Sequence, residues 1–193
     1  MAQAKTLTAK ELKRVLGYIG RQKYAARDRA IFLVSHLSGM RVGEIASLTI
    51  GHVVDSTGAV CTEIRLAAAE TKGKHPRTVF VNSKLQTELT AYLQTFDVTD
   101  SSRTLFPTQK NPVRGFTSNT MTQHFRNIYL AAGINGASSH SGRRTFATEI
   151  SSKGVSIRVL MRALGHRNIS TTIGYVDASD DMLRRAVELA PIY

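Results

Sequence analysis

Apolar residues near the start of the chain recur at a helical period. Thr8 and Glu11 frame a capping box, in which the threonine oxygen accepts a first-turn N–H and the glutamate reaches back. Leu12, Val15, Leu16 and Ile19 then follow at three- and four-residue steps. A second helix is predicted over roughly Tyr24 to Ser38, carrying Ile31, Leu33, Val34 and Leu37, with Gly39 as its stop. Between Val53 and Asn82 the period drops to two. Val60, Thr62, Ile64 and Leu66 alternate, while Thr78 and Phe80 fall on one face and Val79 and Val81 on the other. The basic run Lys72-Gly73-Lys74-His75-Pro76 lies between them, so an antiparallel hairpin is expected, with a third short strand at Val53–Val54.

Ser83 caps a further amphipathic helix through about Phe96, with Leu85, Leu89, Tyr92 and Leu93 inward. Asp97 to Gly115 is a connector too long to lack structure throughout, so part of it is expected to pack. The next helix starts at Thr117 or Ser118 and runs through Ala132. It buries Met121, Phe125, Ile128 and Tyr129, and Asn119, Thr120, Gln123, His124 and Arg126 lie elsewhere on it. Helices follow over Ser141–Lys153 and Ser156–Ala163, then a short segment from Ser170 to Tyr175. A last helix opens at Ser179-Asp180-Asp181, where acidic residues favour its N-terminal dipole. Its stripe of Met182, Leu183, Ala186, Val187 and Ala190 needs a partner surface. The pattern predicts a mainly α chain with a small antiparallel β-sheet, an α+β domain over residues 1–193. Residues 1–6 are expected to be a flexible N-terminus and 176–193 a tail.

Charge narrows the partners. Lys and Arg number 26 against 14 Asp and Glu, a formal net charge of +12, which argues for a polyanion: nucleic acid or an anionic membrane surface. The single cysteine, Cys61, excludes an internal disulfide and points to a reducing compartment. No signal peptide is legible at Met1, and the longest apolar stretch, Ala30 to Leu37, is interrupted by Ser35 and His36. A soluble, cytoplasmic protein is expected, with no membrane partner.

The candidate chemistry lies between His140 and Tyr175. The chain reads His140-Ser141-Gly142-Arg143-Arg144, then Leu164-Gly165-His166, then Thr171-Thr172-Ile173-Gly174-Tyr175. His140 and Arg143 share one face if helical. A histidine that moves protons, an arginine that holds a phosphate and a tyrosine hydroxyl make a phosphoryl-transfer set. With one cysteine, no H-x-x-x-H pair and no carboxylate cluster near these histidines, no metal site and no cofactor are expected.

The ordered pattern H-x-x-R, L-G-H and a tyrosine nine residues on resembles the tyrosine recombinase (phage integrase) family. Ser38-Gly39-Met40-Arg41-Val42-Gly43-Glu44 is similar to that family's first arginine box, and Lys72-Gly73 followed by Arg77-Thr78-Val79 to its lysine-bearing hairpin. The resemblance implies a site-specific DNA recombinase that integrates, excises or inverts DNA through a 3′-phosphotyrosyl intermediate. It implies Tyr175 as nucleophile, Arg41 and Arg143 as phosphate clamp, His140 as base, His166 as phosphate donor and Lys72 as acid, with Lys74 the rival. It also implies Glu44 as the acidic group that orients Arg41. Lys74, Arg77, Asn119, Thr120, Gln123, Arg126 and Arg144 are the candidate DNA contacts. The implied partners are double-stranded DNA, further copies of the chain in a tetrameric synapse, with the tail docking in trans, and accessory DNA-binding proteins. A non-catalytic DNA-binding regulator of the same fold and a type IB topoisomerase-like enzyme are the alternatives. The sequence departs from the family at Gly142, where leucine is common, and at Arg144, where histidine is common. Only 40 residues precede Arg41, so the chain reads as a catalytic domain without the family's N-terminal core-binding domain.

Overall fold

The computed structural model describes residues 3–71, 73–109, 111, 113–175, 183, 184, 187 and 188. Helix α1 (Ala9–Ile19) begins at the Thr8 box, with Glu11 Oε2 accepting the Thr8 N–H at 2.9 Å. Helix α2 (Ala25–Ser38) is the centre of the fold. Ala30 to Val34 are all buried, so α2 meets neighbours around most of its circumference rather than along one stripe. Helices α1, α3 (Val42–Ala46), α5 (Ser83–Leu93) and α7 (Ser141–Ser152) pack against it.

The hairpin is shorter than its alternation suggests. Strands β1 (Glu63–Leu66) and β2 (Arg77–Phe80) pair antiparallel with Ile64 opposite Val79, both buried, while Phe80 faces outward. The chain between them turns through a 3₁₀ segment, Ala68–Glu70. Val53–Val54 is not a third strand. Ile50–Val53 forms a short helix, α4, because the Thr49 N–H donates to His52 Nδ1 at 3.1 Å while Ile50 and Val53 are buried. Only a single bridge, Val54 to Val60, remains of the expected pairing. Helix α5 is capped by Asn82, whose Oδ1 accepts the Leu85 N–H at 2.8 Å, rather than by Ser83, and it ends at Leu93.

The connector packs as expected. Leu105 and Phe106 are buried, and Leu105 N–H donates to Leu48 O at 2.8 Å. The buried Arg27 guanidinium pins this segment, donating to Pro107 O at 3.0 Å and to Asp28 Oδ1, between the rings of Tyr24 and Phe116. Helix α6 (Ser118–Ala131) buries the four residues that its periodicity marks. Helices α8 (Ile157–Leu164) and α9 (Ser170–Ile173) complete the described fold. They sit over a satellite cluster of Ala147, Leu160 and Leu164, apart from the main core. Of the tail stripe, Met182, Ala186 and Ala190 lie outside the described residues.

Helices α2 and α7 touch at Gly142. A Cβ there would meet Ser35 Oγ and His36 Nδ1, so the departure from leucine serves close helix contact rather than loosening it. His36 Nδ1 lies 2.8 Å from Phe32 O, so that nitrogen carries the proton and donates it; Nε2 is buried without a partner among the described residues. Burial is the main cause that pushes the His36 pKa down from 6.5 to about 4.

The unfolded chain therefore binds this proton first. Stability is complete above about pH 6.5 and falls as pH drops toward 4, by on the order of 3 kcal/mol from His36. Urea midpoints at pH 7 and pH 4.5 should show this fall, and His36→Leu should make it shallower. An equally steep fall in the variant rules His36 out as its source.

Candidate active site

Arg41 is delivered by the break between α2 and α3. Gly39 ends α2 in the left-handed region, and Arg41 is the extended N-cap residue of α3. Glu44, one turn on, holds it twice. Its Oε2 accepts the Arg41 backbone N–H at 2.8 Å, and its Oε1 accepts from Nη1 at 3.0 Å. Glu44 is only 1% exposed, so its carboxylate is a buried anchor rather than a surface partner. Arg41 Nη2 donates to Gly165 O at 3.3 Å.

Arg143 rises from the first turn of α7 and is buried. Its Nη1 donates to Gly39 O at 2.6 Å and its Nη2 to Leu164 O at 2.6 Å and to His166 Nε2 at 2.8 Å. Among the described residues, these contacts use three of the five guanidinium N–H groups. Burial, then the charges of Arg41 and Arg77, lower its pKa to about 10, so it stays cationic at neutral pH.

The same contact settles the state of His166. Arginine can only donate, so Nε2 accepts and the proton sits on Nδ1, which donates to Thr172 Oγ1 at 2.9 Å. Burial, reinforced by Arg143, Arg41 and Arg77, pushes the His166 pKa down to about 4 and keeps the ring neutral. Thr172, fully buried, is a site residue that the sequence reading missed; its hydroxyl six residues past His166 is the local signal.

Tyr175 follows α9, half-buried on the satellite cluster. Its ring stacks on His166, with centroids 5.9 Å apart and planes 21° from parallel. Arg144, expected to reach toward DNA, is half-buried, with its guanidinium carbon 5.6 Å from the Tyr175 ring centroid. His140 is the exposed N-cap residue of α7 and lines one cavity with Arg144 and Tyr175. Arg41, Arg77 and His166 line the adjoining cleft, and Thr171 borders both. Arg41, His140, Arg143, His166 and Tyr175 thus gather from four places in the chain.

Lys72 lies outside the described residues; its neighbours Thr71 and Gly73 line the cleft. Lys74 does not continue a strand. It is exposed in a left-handed turn, with φ 51°, and its N–H donates to Thr71 O at 3.1 Å. Arg77, expected among the DNA contacts, is turned inward with a side chain only 9% exposed. On α6, Asn119, Gln123 and Arg126 are exposed, whereas the Thr120 hydroxyl is engaged in the N-cap, accepting the Thr117 N–H at 2.9 Å. Among the described residues, no group of three or more His, Cys, Asp or Glu is placed to hold a metal ion. No helix among them is long and apolar enough to cross a membrane.

The model of the Phage integrase family matches residues 5–182. The chain belongs to that family. A tyrosine recombinase XerA of Pyrococcus furiosus is 31% identical over 187 residues, covering 96% of this chain and 62% of the relative. This integrase-family chain therefore spans under two thirds of that relative's length. The crystal structure of a XerA recombinase superposes with a TM-score of 0.73 at 26% identity, covering 100% of this chain and 66% of that one. A XerH site-specific recombinase bound to palindromic difH substrate, in a post-cleavage complex, shares the fold with a TM-score of 0.70 at 23% identity. That match covers 95% of this chain and 52% of the other.

Proposed function

We propose that this chain is the catalytic domain of a site-specific DNA recombinase, with Tyr175 as its nucleophile. The observation that carries this reading is the convergence of Arg41, Arg143, neutral His166 and Tyr175 on the Gly165–His166 turn, each held by named contacts.

The Tyr175 oxygen attacks the scissile phosphorus, and the bond to the 5′ oxygen breaks. The products are a 3′-phosphotyrosyl bond and a free 5′ hydroxyl. A tyrosine hydroxyl has an ordinary pKa near 10, so attack at neutral pH needs a proton acceptor or a positive field. His140, in the same cavity, is the acceptor. Arg144 beside the ring adds positive charge, as a cation over an aromatic face does. Arg41 and Arg143 stabilise the charge on the non-bridging oxygens through fixed planar forks. His166, expected to donate to the phosphate, instead holds the Arg143 fork, because its Nε2 accepts from Nη2 and its one N–H goes to Thr172. Lys72 gives the leaving oxygen its proton. A second 5′ hydroxyl then reverses the step, so no external energy source is needed.

The reading is tested by incubating the chain with a nicked duplex carrying its candidate site and running a denaturing gel. A protein–DNA band linked through a 3′ phosphate is expected. Tight binding with no such band would leave the non-catalytic regulator as the correct reading.

The tail belongs to the same proposal. Leu183 and Val187 are 57% and 71% exposed, one helical turn apart, and a second copy's catalytic face would cover them. Head-to-tail docking of this kind closes a ring of four protomers on two duplexes. A chain ending at Ala178 should still bind DNA yet fail to form synaptic complexes on a native gel. Synapsis at the parent level by that truncation removes the docking role.

A further inference from the structure

The β-hairpin contributes a third arginine to the site, and its side chain is largely buried at the edge of the cleft. Arg77 Nη1 donates to Leu164 O at 2.6 Å, and Nη2 reaches Ala163 O at 3.5 Å. Nη1 also lies 3.7 Å from Glu44 Oε2. Its Nε is buried without a partner among the described residues. Such burial of a cation beside two others is unfavourable unless the guanidinium organises its surroundings.

Three features show what it organises. The carbonyls it meets are the last of α8, which intrahelical bonds leave unsatisfied and which carry the negative end of the helix dipole. Leu164 O accepts from Arg143 Nη2 as well, so one carbonyl joins the hairpin arginine to the phosphate-clamp arginine. Gly165 makes room for it. A Cβ there would lie 2.8 Å from Arg77 Nη1, and φ of +61° already disfavours a side chain.

We infer that Arg77 is a positioning residue, locking the hairpin to the end of α8 so that Glu44, Arg143 and the Gly165–His166 turn keep one arrangement. This rests on the reading of the site as a strand-transfer centre. Arg77 acts through Glu44 on Arg41 and through Leu164 on Arg143, touching neither the nucleophile nor the phosphate. The groups facing His166 are Arg143 from α7, Arg41 ahead of α3, Arg77 from β2 and the ring of Tyr175 after α9, with Glu44 as the acid between the arginines. Removing Arg77 takes one cation from this ring and loosens the turn that carries the histidine.

The test compares Arg77→Met, of similar length but without charge or N–H, and Arg77→Lys with the full parent chain. DNA affinity is measured against salt, covalent-complex formation is timed on the nicked duplex, and His166 is titrated by NMR without DNA. Arg77→Met should keep the parent salt slope, form the covalent complex at least about tenfold more slowly, and raise the His166 midpoint from its depressed value. Arg77→Lys should restore the midpoint but only part of the rate, because a single ammonium cannot span both carbonyls. A salt slope shallower by roughly 0.9, with His166 unmoved, would instead make Arg77 a phosphate contact and overturn the inference. Parent-like cleavage by Arg77→Met also overturns it. Should Arg77→Met fail to fold, Arg77→Lys decides, since a parent rate there shows that the fork is not needed. If the parent itself forms no covalent complex, the strand-transfer reading fails, while the His166 titration still reports on the placement of Arg77.

Discussion

Tyr175→Phe should abolish covalent complex formation, by at least about a thousandfold, while DNA affinity stays near that of the parent. The change removes one oxygen and keeps the ring. Its stacking on His166, its contact with Arg144 and its place on the satellite cluster all survive. Stability should therefore shift by no more than about 0.5 kcal/mol, as for substitutions that leave packing intact. The measurement is a time course on the nicked duplex, with an affinity titration beside it. A band of parent intensity from the variant would assign the nucleophile elsewhere. Loss of binding together with cleavage would mean that the ring, not the oxygen, is what the site needs.

Gly142→Leu should cost about 3 kcal/mol or more, although it restores the residue common in the family. The added side chain has to enter where Ser35 Oγ and His36 Nδ1 already lie against the backbone of α7. The two helices must part to admit it. The adjacent Arg143 would then lose its hold on Gly39 O at the end of α2 and on Leu164 O. Melting should fall by about 6 °C or more for a chain of this size, and covalent complex formation should fall with it. Ser35→Gly, combined with Gly142→Ala, should behave better than Gly142→Ala alone, since it clears the nearest atom. A Gly142→Leu protein that melts and cleaves like the parent would mean that the helices do not meet this closely.

Both expectations start from a residue that the sequence marks, and they differ in how much the sequence says about it. Tyr175, His166, Arg143 and Arg41 were legible as a set because their order and spacing are local properties of the chain. The Thr8–Glu11 box, the stop at Gly39 and the four buried residues of α6 were legible for the same reason. Caps, helix stops and one-sided periodicity involve neighbours within a few residues, so they can be read without knowing what packs on them.

What the sequence alone could not determine are contacts between segments far apart in the chain. Arg77 looks like one more basic residue at a hairpin tip until the end of α8, 86 and 87 positions away, supplies its acceptors. Gly142 reads as a missing leucine until α2 arrives with Ser35 and His36. Val53–Val54 has strand propensity, yet the His52 side chain closes a helical turn there instead. Lys74 reads as the rival of Lys72 for the acid's role, and only the fold shows that its backbone is left-handed. By itself the sequence determined which residues are candidates for the chemistry and most of the helices that bear them. Tertiary structure decided which charges are buried, which tautomer His166 adopts and which arginines line the cleft, because burial and paired partners depend on segments that meet only in the folded chain.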